Sequence, residues 1–210
     1  MTTLAPNLRR TVLADRVFPR TLLMDVVLVL AGVALVTVLS YTQIPLWPVP
    51  VTGQTLGVLL VGSTLGAARG AISMGLYALI GGFGIPVFAP NADGSLSFGW
   101  HVIFGATGGY IIGFVISAAL VGWLAERQWD RKILKAIVTF VAGSVVVFAI
   151  GLPWLAVVLH TDLPTTLQYG LYPFIIGGII KAAIAAGLLP LAWWGADRIT
   201  KKRAADQDAV

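Results

Sequence analysis

One lysine stands inside a long run that is otherwise uncharged. The stretch YPFIIGGIIKAAIAAGLLPLAWW, Tyr172 to Trp194, carries Lys181 as its only charge. A run of this length is long enough to cross a bilayer. An ammonium near the middle of such a run costs roughly 2.5–3.5 kcal/mol on the insertion scale. It either snorkels to the interface along its own stem, or is held by something that offsets the cost: a partner, a water-filled cavity or an anionic ligand. The apolar residues on both sides of Lys181 disfavour snorkelling, and it is read here as a binding group.

A second set of polar residues falls toward the same end of the apolar runs. Thr52, Gln54 and Thr55 open one run, Thr107, Gly108, Gly109 and Tyr110 lie in the first turns of another, and Asn91 lies in a loop. Phe88, Trp47, Tyr41 and Trp154 supply apolar faces near the same level. A mostly apolar pocket with a few placed hydrogen-bonding groups and one cation suits a small, partly apolar ligand with one carboxylate. Catalytic readings find no support. The sequence has no G-x-x-x-x-G-K-[ST], no H-E-x-x-H and no G-x-S-x-G, so it lacks the phosphate cradle, the zinc helix and the nucleophile elbow. His101 and His160 are isolated, without carboxylates at ligand spacing. Glu126, followed by Arg127, reads as a solvated helix end. There are no cysteines, which excludes disulfides and thiolate sites. The chain is expected to be no enzyme and to hold no cofactor and no metal.

The elements that must position these groups are membrane spans. Of the 210 residues 58% are apolar and 11% charged, with a mean hydropathy of +0.90; a soluble domain has about 25% charged residues. The expected architecture is all-α, an integral membrane bundle of six transmembrane helices with both termini cytoplasmic. The spans are read as Thr21–Leu39, Gly53–Gly66, Gly70–Ile85, His101–Leu124, Ala136–Leu159 and Leu171–Trp194. Residues 1–20 form a cytoplasmic N-terminal segment, 21–195 the six-helix substrate-binding domain and 196–210 a cytoplasmic tail. Pro45, Pro48 and Pro50 exclude regular helix from Thr42 to Thr52. Thr161–Gly170 reads as a short loop. Four Lys or Arg residues precede the first span, one lies between the second and third, four between the fourth and fifth, and four follow the sixth. All of these fall on one side, and the opposite loops hold only Asp93 and Asp162, the pattern of positive-inside topology. The net charge of +5 therefore reports topology and not nucleic-acid binding. Glycines four apart, at Gly53/Gly57, Gly62/Gly66/Gly70 and Gly105/Gly109/Gly113, make flat faces for close helix packing.

Taken together, PVPVTGQTLGVLLVGSTLGAARG (Pro48 to Gly70), LYALIGGFGIPVFA (Leu76 to Ala89), TGGYIIGFVISAALVGWLAER (Thr107 to Arg127) and YPFIIGGIIKAA (Tyr172 to Ala183) resemble the biotin-specific substrate-binding component of energy-coupling-factor transporters. The resemblance implies a six-helix protein of a bacterial plasma membrane that binds biotin from outside. It implies membrane lipid as surroundings, and a transmembrane coupling subunit and a cytoplasmic ATPase pair as partners. It implies that Lys181 pairs with the biotin carboxylate, that Asn91 bonds the ureido ring, and that Tyr110 and the other aromatic residues enclose the rest. One position departs from the family pattern: an aspartate three residues before the lysine is replaced here by Gly178. Residues three apart share a helix face, so an acceptor beside Lys181 is expected to be missing, and the ureido N–H groups need another, such as Asn91, Gln54 or a backbone carbonyl. The alternative reading is an autonomous secondary carrier for another small carboxylate.

Overall fold

The computed structural model describes residues 12–208, with side chains as far as Arg198. The expectations placed on Arg9 and Arg10, and on the side chains of Lys201, Lys202 and Arg203, lie outside the described part.

A short helix, α1 (Leu13–Val17), precedes the first long one, α2 (Leu22–Ser40). Thr21 caps α2, its side-chain oxygen accepting from the Met24 N–H at 3.2 Å, which satisfies one of the orphan donors of a helix start. The proline-rich stretch then forms a small antiparallel ribbon. β1 (Gln43–Ile44) pairs with β2 (Val51–Thr52), Gln43 opposite Thr52 and Ile44 opposite Val51. The turn between them contains a cis Trp47–Pro48 peptide. α3 (Gln54–Leu65) and α4 (Ala67–Gly82) follow, separated by Gly66 at φ 89°, a backbone conformation natural only to glycine.

The expected fourth span is two pieces: α5 (Trp100–Ile103) and α6 (Gly108–Ala125). The interruption has a local cause. The backbone at Gly108 comes so close to the Ile103 carbonyl that no side chain could fit. The carbonyl of Gly105 accepts from the Trp154 indole N–H at 2.9 Å, so the break leaves that acceptor satisfied. α6 is the centre of the bundle. Of its 18-residue span 61% is buried, against 22% for α2 and for the last helix. Small residues allow the close approaches around it, with Gly62 of α3 against Ala118, and Gly122 against Gly66 and Ala67. These contacts agree with the packing reading of the glycine spacing.

α7 (Ile133–Leu159) ends at His160 in the left-handed conformation, φ 53°. The expected loop after it is in fact a helix, α8 (Leu163–Gly170). Asp162 caps it by accepting from the Thr165 N–H at 3.2 Å, and Pro164 sits in its first turn; both residues favour a helix start. The bonds from Thr165 hold the Asp162 carboxyl below its ordinary value. The last helix, α9 (Tyr172–Asp208), runs well past Trp194. Among the described residues four helices, α2, α6, α7 and α9, are long and apolar enough to cross a membrane. α3 has 12 residues and α4 has 16, about 18 and 24 Å, shorter than a hydrocarbon core of about 30 Å. The chain is an all-helical membrane bundle with one short ribbon.

Charge gathers at one end. The Arg69 guanidinium bridges Asp15 at 2.5 Å and Asp25 at 3.1 Å, Arg20 joins Asp15 at 2.6 Å, and Arg16 meets Asp197 at 3.2 Å. Glu126 is not the solvated helix end expected from its neighbours. Its Oε1 accepts from the Ala67 N–H at 2.9 Å and so caps α4 from a distant part of the chain. At the same end Asp130 is fully buried, its Oδ2 accepting from the Trp193 indole at 2.6 Å, and the Arg131 guanidinium lies over the same indole ring. Burial lifts the Asp130 carboxyl above its ordinary value.

Candidate ligand-binding site

The ribbon, the long loop after α4 and the start of α6 enclose a cavity of about 290 Å³, close to the lower end of the range for small-molecule sites. Of the residues singled out from sequence, Thr52, Gln54, Phe88, Asn91, Thr107 and Tyr110 all line it, as does Trp47. They arrive from four separate segments. The ribbon fixes Thr52 by its strand pairing. The N-terminus of α3 presents Gln54, the loop presents Phe88 and Asn91, and the first turn of α6 presents Tyr110.

Lys181 lies just behind this lining. Its ammonium donates to the Thr52 carbonyl and, at 3.1 Å, to Thr55 Oγ1, and both of those residues line the cavity. An ammonium has three protons, and two have these partners. Among the described residues no carboxylate forms an ion pair with it. The charge is thus delivered to the cavity wall by α9, with neutral oxygens and no built-in counter-ion.

A buried hydrogen-bond chain begins at the same threonine. Thr52 Oγ1 donates to Gln54 Oε1 at 2.8 Å, Gln54 Nε2 donates to the Tyr77 hydroxyl at 2.6 Å, and that hydroxyl donates to the Val87 carbonyl at 2.9 Å. Ser40 Oγ lies 2.9 Å from the same carbonyl and 2.7 Å from the Thr37 carbonyl, and its one proton can serve only one of them at a time. Phe88, the next residue, packs edge-on against the Tyr77 ring with centroids 5.4 Å apart. On its other side the ring lies directly on the backbone of Gly81, where any Cβ would overlap it. Asn91 is set by a turn, its amide donating to Ser95 Oγ at 2.9 Å while Asp93 accepts from Ser95. Those bonds hold the Asp93 carboxyl below its ordinary value.

Aromatic rings close the side facing α7 and α9. Tyr110 stacks on Phe174 at 6.2 Å, and Phe148 meets both edge-on at 6.1 and 5.8 Å. The Tyr110 hydroxyl donates to the Gly170 carbonyl at 3.0 Å, which ties α6 to the end of α8. Phe174 also lines a second, more apolar space of about 460 Å³ between α7 and α9, bordered by Phe148, Ser144 and Gly178.

Some residues singled out from sequence lie elsewhere. Gly109 is part of the α6–α7 packing, its backbone pressed against Trp154, and does not line the cavity. Trp154 instead donates to Gly105, and the Tyr41 hydroxyl donates to the Pro86 carbonyl at 2.6 Å. Gly178 faces the space between α7 and α9, with nothing within 4 Å of where a Cβ would be. Sequence reasoning missed Phe174, Ser97 and His101 as cavity residues. His101 had been set aside as an isolated histidine; its place beside the T-G-G-Y segment was the available signal.

Known proteins resemble this chain in sequence and in fold. The model of the BioY family matches residues 9–198. The chain is 35% identical over 164 residues to the biotin transporter BioY2 of Lactococcus lactis subsp. cremoris, covering 78% of this chain and 87% of that protein. It is 36% identical over 161 residues to the biotin transporter BioY of Thermotoga maritima, covering 76% and 90%. It superposes with a TM-score of 0.68, at 25% identity, on the crystal structure of the S-component for biotin from an ECF-type ABC transporter, over 82% of this chain and 93% of that one. The family match takes in the ribbon, the cavity loop and Lys181 together, and the chain belongs to the BioY family.

Proposed function

We propose that this chain is the biotin-binding membrane component of an ECF-type uptake system, a transport protein and not an enzyme. The observation that carries the reading is the placement of Lys181. One ammonium reaches the wall of a mostly apolar cavity through Thr52 and Thr55, and no carboxylate among the described residues neutralises it. Biotin is chemically complementary: an apolar ring and chain, a ureido group with donors and an acceptor, and one carboxylate. In this reading Lys181 meets the carboxylate, Asn91 and Gln54 meet the ureido group, and Phe88, Tyr110 and Phe174 enclose the ring and chain.

The finer arrangement follows the same reading. α3 and α4 act as two further spans of a six-span bundle, tilted or locally thinning the bilayer to match their length. Both termini lie on the cytoplasmic side of a bacterial plasma membrane, as supported by the one-sided distribution of Lys and Arg. The cavity then opens outward. The protein captures biotin there, and a transmembrane coupling subunit with a pair of ATPases drives the inward release. The test is titration of the purified protein with biotin by calorimetry. A one-to-one heat of binding supports the assignment, and no heat at micromolar protein overturns it. Liposomes holding this protein without ATPase partners should take up no biotin under an imposed ion gradient; uptake there would favour an autonomous carrier.

A further inference from the structure

We infer that Tyr77, which does not touch the cavity, is a positioning residue that decides which polar atom Gln54 offers to the ligand. The argument starts from an oxygen pair. The Tyr77 hydroxyl oxygen lies 2.9 Å from the Val87 carbonyl oxygen. A carbonyl can only accept, and the one other hydroxyl within reach of it, Ser40 Oγ, has the nearer Thr37 carbonyl at 2.7 Å for its single proton, so the hydrogen between Tyr77 and Val87 belongs to the tyrosine. The hydroxyl has then committed its only proton, and toward Gln54, 2.6 Å away, it can only accept. The Gln54 atom facing it must therefore be the amide nitrogen. The amide oxygen is turned by the same constraint toward Thr52, whose hydroxyl donates to it at 2.8 Å.

Both ends of the Gln54 amide are thus assigned by chemistry. The amide nitrogen has two protons, and Tyr77 takes one. Its second N–H has no partner among the hydrogen bonds of the described residues, and because Gln54 lines the cavity, that N–H is the donor it holds free for a ligand, beside an oxygen that already takes the Thr52 proton on one of its two lone pairs. A site so arranged selects a ligand with an acceptor at that point, and it disfavours a donor there. Gln54 and Thr52 are 7% and 8% exposed, and Tyr77 is 0% exposed. Water is in poor supply to rescue a reversed amide, and the orientation is strongly held. The relay also reaches the loop, because the Val87 carbonyl that fixes Tyr77 precedes Phe88, which packs on the Tyr77 ring.

The inference rests on the biotin reading, in which the acceptor is the ureido carbonyl oxygen. The experiment compares biotin with 2-iminobiotin, whose ring bears an N–H group in place of that oxygen, by calorimetry at fixed pH on the purified full chain. Wild type should prefer biotin. In Tyr77→Phe the amide of Gln54 is free to reverse, and the preference ratio should shrink by about tenfold, the worth of one hydrogen bond. A tyrosine that merely fills space would weaken both ligands alike and leave the ratio unchanged, which would overturn the inference. Tyr77→Phe added to Gln54→Ala should leave the ratio where Gln54→Ala alone puts it; a further change would also overturn it. If Tyr77→Phe does not fold, Thr52→Val, which frees the amide from its other end, should shrink the ratio in the same way, and an unchanged ratio there decides against the proposal. Failure of wild type to bind either ligand would instead remove the biotin reading itself, and the inference with it.

Discussion

Lys181 Nζ lies 3.1 Å from Thr55 Oγ1, across 126 residues of sequence. The last helix and the start of α3 meet there through a charge and a hydroxyl, and the ammonium also donates to the carbonyl of Thr52. Each partner is neutral, so the cation keeps its capacity for an anion.

Lys181→Met should therefore weaken biotin binding by at least about 30-fold, since losing one partner of a desolvated charged pair costs roughly 2–5 kcal/mol. Thr55→Val removes one neutral hydrogen bond and should cost about tenfold or less. Calorimetric titration of the two variants checks the order. Equal losses would show that the ammonium has no special part.

Gly81→Ala should damage the site without altering any polar group. A methyl there overlaps the Phe88 ring, and the ring, which is 2% exposed, has to move toward the cavity. Overpacking of this kind costs about 1–3 kcal/mol. Weaker biotin binding with a modest fall in melting temperature is the expected result, while an unchanged affinity would show that the loop moves away from the cavity.

Gly178→Ala and Gly178→Asp should both express and fold, because nothing lies within 4 Å of the added Cβ. Alanine in place of a glycine inside a helix should stabilise by up to about 1 kcal/mol. Failure to accumulate in the membrane, followed by fluorescence-detected size exclusion, would show that the groove between α7 and α9 needs this glycine.

Glu126→Ala should lower stability by about 1–2 kcal/mol, because the Ala67 N–H loses its charged acceptor. Biotin affinity should stay within about twofold, since Glu126 is at the opposite end from the cavity. Thermal unfolding and titration on the same sample separate the two effects.

Asp130 gives the stability a pH dependence of its own. Burial raises its carboxyl above the ordinary value. Between the unfolded and folded values the native chain holds a proton that the unfolded chain has released, and stability falls as pH rises through that interval. Asp130→Asn keeps an acceptor for the Trp193 indole and removes the charge. Its melting temperature, measured from about pH 4 to 8, should lack this fall, and the variant should exceed wild type at the upper end. A parallel decline in both proteins would show that other groups set the slope.

Much of the site was legible because its signals are local. A lone lysine in an apolar run, a Gln and two Thr residues at a helix start, and a Phe and an Asn beside glycines and prolines all stand out in one dimension. The relation between Lys181 and Gly178 was less accessible. Three residues along a helix turn through only part of a face, and the lysine reaches α3 while the glycine opens toward α7. Tyr77 was passed over because a hydroxyl among apolar helix residues looks the same whether it meets lipid or an amide. Glu126 was misread for a related reason, since its partner, the Ala67 N–H, lies on a different helix. α8 could have been read from sequence, from Asp162 followed by Leu163 and Pro164.

Phe174 borders both the inner cavity and the groove between α7 and α9. With Tyr110 and Phe148, which pack against it, this ring forms a wall one aromatic layer thick between the two spaces. A soluble binding protein faces only water outside its walls; for a membrane bundle, acyl chains entering the groove between α7 and α9 would press on that thin pane. Retention of the apolar part of a ligand should then vary with how tightly the surrounding lipids pack, a dependence that detergent micelles would erase.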